Sequence, residues 1–164
     1  MAKLSVTGLD EYITNLRNMN TELRNINRGA LGEGAKVAAE AVRDALDSLP
    51  IHPDRPIHGR QHDERLSGVT ESEYAQICNN FGIAKHKSTG SGWNTSVGFH
   101  GTVHTPSAKY GDEVPTCLLV QAVDQGTEFR KPVRVVSKAS RSCKSDVVNA
   151  IEKYIDEHVK KIME

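Results

Sequence analysis

Three histidines with acidic neighbours form the most metal-like group in the sequence. His52, His58 and His62 lie near one another in a polar segment, and imidazole and carboxylate groups are common zinc ligands. The four-residue spacing of His58 and His62 would place both on one face of a helix, but Pro56 and Gly59 disfavour a helix there. A metal-dependent hydrolase stays an alternative, and we predict a loop without metal.

A second group consists of basic residues near the carboxyl terminus. No acidic residue occurs between Glu128 and Asp146, so the segment has a positive local potential in a neutral chain. A solvated helix surface, a contact with DNA phosphate and a contact with an acidic partner all remain open. The candidate contact residues are Arg130, Lys131, Arg134, Lys138, Arg141 and Lys144.

Motifs for catalysis are missing from the sequence. It contains no G-x-S-x-G element for a nucleophile and no glycine-rich loop for phosphate. His100 and His104 flank a glycine in a turn-rich segment, where exposed imidazoles are common. We therefore predict that the protein is not an enzyme and has no cofactor.

Size and composition restrict the remaining possibilities. The 164 residues, 37% hydrophobic and 26% charged, fit a single domain spanning residues 1–164. Lys plus Arg equals Asp plus Glu at 21 each, so any DNA contact must be local. Three widely spaced cysteines, no leader-like amino terminus and no run of about 18 apolar residues predict a cytoplasmic protein without disulfides or membrane spans.

The amino-terminal half is predicted to be largely helical. Residues 3–7 alternate as in a strand, and apolar residues then recur at helical spacing over residues 9–26 and 37–49. Gly29, Gly32 and Gly34 predict a kink or break between the two helical segments. Residues 51–68 predict a polar loop, and Thr70 with Glu73 forms a capping box for a short helix.

The carboxy-terminal half combines turns, strands and helix. Residues 82–111 predict a flexible excursion that includes a strand at 95–100, and residues 114–123 predict a helix started by Pro115. Pro132 reads as the first residue of a long helix to about Ile162, with one buried stripe. The resulting fold class is α+β, with long amino- and carboxy-terminal helices packed on a small, mostly antiparallel sheet and long polar loops.

The order of these elements resembles the tail-completion proteins of long-tailed bacteriophages, the gene-product-ten group of head-tail joining proteins. The chain departs from the family pattern at Asp124-Gln125 and at Val133, where an aromatic residue is expected. The matching segments are V-T-G-L-D-E at residues 6–11, the alanine-rich residues 30–49 closed by Pro50, and Gln125-Gly126-Thr127 followed by Phe129-Arg130-Lys131-Pro132.

The resemblance implies a structural subunit of a phage or prophage that acts in virion assembly. It implies self-association into a ring, contacts with neck or connector proteins and with tail-tube or tail-terminator proteins, and non-specific contact with phage DNA. The loop carrying His52, His58 and His62 would contact neighbouring subunits. The expected location is the host cytoplasm during assembly and then the virion neck or tail. The alternative is a small DNA-binding or regulatory module that uses the basic carboxy-terminal helix.

Overall fold

The fold is built on one long amino-terminal helix. The computed structural model describes residues 9–53, 65, 67–89, 92–107 and 109–163. The predicted strand at residues 3–7 lies outside these ranges. The helices are α1 (Leu9–Asp47), α2 (Glu71–Asn79), α3 (Thr116–Gln125), α4 (Val135–Ser142) and α5 (Lys144–Met163).

Short strands complete an α+β fold, which confirms the predicted class. Each described strand pairs with one other strand, so there are four two-stranded sheets instead of the single small sheet that was predicted. The pairs are β1–β2, which is parallel, and β3–β6, β4–β5 and β7–β8, which are antiparallel. The strands are β1 (Ile51–His52), β2 (Val69–Thr70), β3 (Phe81–Ile83), β4 (Lys87–Thr89), β5 (Gly92–Asn94), β6 (Val97–Phe99), β7 (Thr102–Ser107) and β8 (Gly111–Pro115).

The prediction of a break in the amino-terminal helix is wrong, because α1 runs continuously through its three glycines. A Cβ at Gly29 would lie 2.6 Å from Cζ of Tyr154, and one at Gly34 would lie 2.8 Å from Cδ1 of Ile151. Two of the glycines therefore let α5 approach the α1 backbone closely. Packing along this contact offsets the helix propensity that glycine lacks.

Residues 82–111, predicted as a flexible excursion, carry most of the strands. The segment from β3 to β6 lies along α1, where the guanidinium of Arg43 is 5.8 Å from the centre of the Phe81 ring. Farther along, Arg28 is 5.7 Å from the centre of the Trp93 ring. These cation–π contacts use side chains of α1 that simple periodicity assigns to solvent.

The carboxy-terminal helix begins later than predicted and is divided. Helix α4 starts at Val135 instead of Pro132, because the preceding main chain pairs with the end of α3: the N–H of Val133 donates to Val123 O at 3.1 Å, and that of Arg134 to Asp124 O at 3.0 Å. Cys143 separates α4 from α5. The predicted stripe is confirmed in part, because Cys143 is buried but Ser140 is exposed. The other stripe residues whose side chains are described are half-buried, namely Val136, Val147, Ile151, Tyr154 and His158.

The core lies around the carboxy-terminal half of α1, where several elements converge. It is mainly aliphatic. In contrast, every residue from 18 to 25 of α1 is exposed, so this part of the helix extends beyond the core. No described helix is both long and apolar enough to cross a membrane. The buried core residues are Ala39, Val42, Leu46, Leu49, Val69, Ile77, Phe81, Val103, Val114, Leu119, Val120 and Val123.

Candidate functional site

The start of α2 fixes a buried carboxylate. Thr70 Oγ1 accepts a hydrogen bond from the Glu73 N–H at 3.2 Å, and Glu73 Oε2 accepts one from the Thr70 N–H at 3.0 Å. The predicted capping box is therefore confirmed. Because this reciprocal pair orients Glu73, its second oxygen, Oε1, faces the interior and is available for other donors.

Arg130 supplies the positive charge that this carboxylate requires. Arg130 Nη2 lies 2.7 Å from Glu73 Oε1, and Nη1 donates to Gly68 O at 2.8 Å. Thr105 Oγ1 donates to the same carboxylate oxygen at 2.9 Å. The side chains of Arg130 and Glu73 are only 12% and 4% exposed. Arg130, predicted as a phosphate or acidic-partner contact, is thus engaged inside the protein, because its guanidinium neutralises a buried carboxylate.

The Gly-Thr sequence that precedes Arg130 forms the turn that presents it. Gly126 has φ of 81°, and its N–H donates to Ala122 O at 3.0 Å, which closes α3. Thr127 Oγ1 then accepts from the N–H groups of Phe129 and Arg130, at 3.2 and 3.1 Å. The motif that carried the family resemblance therefore has a structural task, which is to place Arg130 beside Glu73.

Burial raises the pKa of Glu73, but its hydrogen bond to Arg130, the charge of that residue and the bonds from Thr70 and Thr105 lower the pKa below the usual 4.5 overall. A carboxyl group whose pKa is lower in the folded than in the unfolded state stabilises the fold at pH values above its unfolded-state pKa. This stabilisation is lost as the pH falls through the folded-state pKa.

We therefore expect the wild-type protein to lose stability in acid through Glu73, and a Glu73→Gln variant to lack this component. Urea unfolding of both proteins between about pH 3 and pH 7 measures the effect. The difference in free energy of unfolding between them should shrink as the pH falls below about 4.5. A difference that stays constant over this range would contradict the assignment.

The other predicted basic residues are all exposed, and we refer to them together as the basic face. Its members are Lys131, Arg134, Lys138, Arg141 and Lys144. Within the described residues, none of the five forms an ion pair with a carboxylate. The basic face is therefore open to a negatively charged ligand.

The amino-terminal end of α4 is held by a buried aspartate of α3. Asp124 is 6% exposed, and its carboxylate accepts hydrogen bonds from the N–H of Val136 at 2.9 Å and of Ser137 at 3.2 Å. Arg134, the residue before α4, adopts a left-handed conformation with φ of 61° and ψ of 21°. This conformation costs a residue other than glycine about 1 to 2 kcal/mol, and the surrounding hydrogen bonds maintain it.

Only one of the three predicted loop histidines lies in the described part of the chain. His52 is half-buried in β1, and its Nε2 lies 2.6 Å from Ser67 O, so the ring holds two chain segments together. His58 and His62 lie outside the described residues. In the ranges that are described, no three potential metal-binding side chains come close enough to hold an ion.

A surface cleft over the β3–β6 pair was not expected from the sequence. Gly82 and Gly98 are cross-strand partners, and no atom lies within 4 Å of a Cβ placed on either one. The cleft, with a volume of about 260 Å³, is bordered by Ile83, Phe99 and His100. The mirrored sequences Phe81-Gly82-Ile83 and Val97-Gly98-Phe99 were the available signal, because antiparallel pairing aligns their glycines.

Strand β6 presents one unpaired edge next to this cleft. Ala84 N–H donates to Ser96 O at 2.8 Å, and His100 N–H donates to Asn80 O at 2.9 Å. Hydrogen-bonded and non-bonded pairs alternate in antiparallel sheets, so the main-chain groups of Val97 and Phe99 point away from β3. The described strands include no second partner for β6. This edge can accept a strand from another chain.

Comparisons of the chain with models of known protein families, with curated proteins and with solved structures found no match.

Proposed function

We propose that this protein is a non-enzymatic structural subunit of a phage or prophage virion that acts in assembly as a tail-completion or head-tail joining subunit within a ring. The observation that carries the proposal is the open edge of β6 beside a cleft whose floor is formed by Gly82 and Gly98. An incoming strand can pair with this edge, and one of its side chains can occupy the cleft.

Exposed apolar side chains support an assembled state. Ile83 at the cleft, Tyr110 in the β7–β8 turn, Leu118 on α3 and Phe129 are each exposed by more than a third. They lie on different elements, and a ring requires two different surfaces on each subunit because its interfaces are head-to-tail. The kind of assembly that we propose is taken from the sequence resemblance to tail-completion proteins.

Electron microscopy of an induced lysate in which this gene is deleted tests the role directly. Filled heads beside unattached or irregular tails are expected, and the wild-type gene supplied in trans should restore joined particles. Intact, infectious virions from the deletion strain would overturn the proposal.

Two glycine substitutions test whether the cleft is the contact surface. Gly98→Val places a side chain in the cleft, whereas the control Gly92→Val places one in β5. An added Cβ has no atom within 4 Å at either position, and neither glycine has positive φ. Both variants should therefore fold, as thermal melting can verify. We expect Gly98→Val to leave joined particles near the level of the deletion and Gly92→Val to restore them. Equal rescue by both would exclude the cleft as the contact.

A further inference from the structure

Two cations of the basic face lie along α4, and a third directly precedes the helix. At about 100° per residue, Lys138 and Arg141 are about 60° apart around the helix axis. Arg134 lies just before the first residue of α4, Val135. The opposite side of α4 carries the half-buried Val136 and leads to the buried Cys143, so the cations point away from the protein body.

The surface around these cations suits a phosphate backbone better than an acidic protein. Protein interfaces use aromatic and large apolar anchors, and α4 presents none between its cations. Ser142 is exposed on the same side of α4 as these cations, and its hydroxyl group donates to Ala139 O of its own helix at 3.1 Å. This small, internally bonded side chain does not obstruct the approach of the rod-shaped duplex to the neighbouring charges.

Arg134 supplies the second, independent observation. Glycine and asparagine adopt its left-handed conformation most easily, so backbone geometry does not explain an arginine at this position. The main-chain bond to Asp124 O and the capping of α4 by the Asp124 carboxylate hold the residue in place. We therefore attribute the presence of arginine here to its side chain, which places a cation at one end of the row.

We propose that the basic face binds the phosphate backbone of duplex DNA without reading its sequence, with Arg134, Lys138 and Arg141 as the central contacts. Lys131 and Lys144 flank this row. Arg130 takes no part, because its guanidinium is bound to Glu73 and Gly68. The inference concerns a ligand of the isolated protein and stands apart from its role in assembly.

Binding of the purified full chain to a synthetic duplex, measured over a series of salt concentrations, tests the inference. Arg134→Gly should reduce the slope of log affinity against log salt by about 0.9, and the triple variant Arg134→Gly/Lys138→Ala/Arg141→Ala by about 2.7. Because glycine relieves the left-handed strain, Arg134→Gly should melt at the wild-type temperature or about 2 to 4 °C above it. Affinity would then fall while stability is kept or raised.

A matched control distinguishes binding by the basic face from a general effect of removing positive charge. The triple variant Lys153→Ala/Lys160→Ala/Lys161→Ala removes the same number of exposed cations from α5 and should leave the salt slope close to that of the wild type. An equal loss in both triple variants would overturn the proposal. So would an unchanged slope in the α4 variant, or tighter binding of poly-glutamate than of the duplex, which would point to an acidic protein. Normal particle joining by a variant that no longer binds duplex would leave the assembly role intact.

Discussion

Replacing Arg130 by methionine is expected to lower the free energy of unfolding by about 3 to 5 kcal/mol, the largest effect that we foresee for a single substitution. Methionine preserves much of the side-chain volume but leaves the Glu73 carboxylate buried without a counter-charge. It also leaves Gly68 O without its donor. Urea unfolding near neutral pH should show the loss as a lower midpoint with an unchanged slope.

The neighbouring Lys131→Met substitution is the matched control, since it removes the same charge from an exposed position. Its effect should stay within about 0.5 kcal/mol. Adding Glu73→Gln to Arg130→Met should recover part of the loss, because the amide removes the buried charge and keeps an oxygen for the Thr70 N–H. Similar small losses for Arg130→Met and Lys131→Met would show that the ion pair is not needed for stability.

Acid should reduce the defect of Arg130→Met. Without the guanidinium, Glu73 loses the two strongest interactions that lower its pKa, so the carboxyl group takes up a proton more readily in the variant than in the wild type. The difference in stability between the two proteins should therefore narrow as the pH falls through the range where Glu73 titrates. This behaviour separates a charge effect from a loss of packing, which would not depend on pH.

Replacing each of the three glycines of α1 by alanine should change the stability of the protein, with opposite signs at different positions. This is the second of the two largest effects that we expect. Gly32 faces only His86, whose nearest atom would lie 3.7 Å from an added Cβ, so Gly32→Ala should stabilise the helix by about 1 kcal/mol. Gly34→Ala would press on Ile151, and Gly29→Ala on the ring of Tyr154. Each should destabilise the protein by about 1 to 3 kcal/mol, since the α1–α5 contact must separate or repack.

Thermal or urea unfolding of the three single variants measures these signs. Tyr154 cannot shift freely, because its ring stacks on His158 with centroids 3.9 Å apart. Removing the obstructing ring should therefore change the outcome: in a Tyr154→Ala background, Gly29→Ala should become neutral or stabilising. If all three alanine variants were more stable than the wild type, the close approach of α5 to α1 would be refuted.

The sequence by itself determined the features that depend on near neighbours in the chain. Thr70 and Glu73 specified the start of α2 through a bond between residues three apart, and Pro115 correctly marked the beginning of α3. Apolar periodicity identified most of the stripe of the carboxy-terminal helices, and the order of predicted helices and strands identified the α+β class. Charge distribution along the chain also identified six basic residues, and the structure shows that five of them, the basic face, are exposed.

Where local sequence signals compete with contacts to residues distant in the chain, only the tertiary structure decided the outcome. Gly29 and Gly34 weaken a helix locally, but the packing of α5 keeps α1 continuous. Pro132 is suited to begin a helix, yet its segment pairs with the end of α3, and Asp124 sets the start of α4 instead. Arg130 looked like its basic neighbours because the sequence does not reveal that Glu73, 57 residues away, is buried beside it. The physical reason is common to all three: the deciding energy comes from groups that are distant in sequence and meet only when the chain has folded.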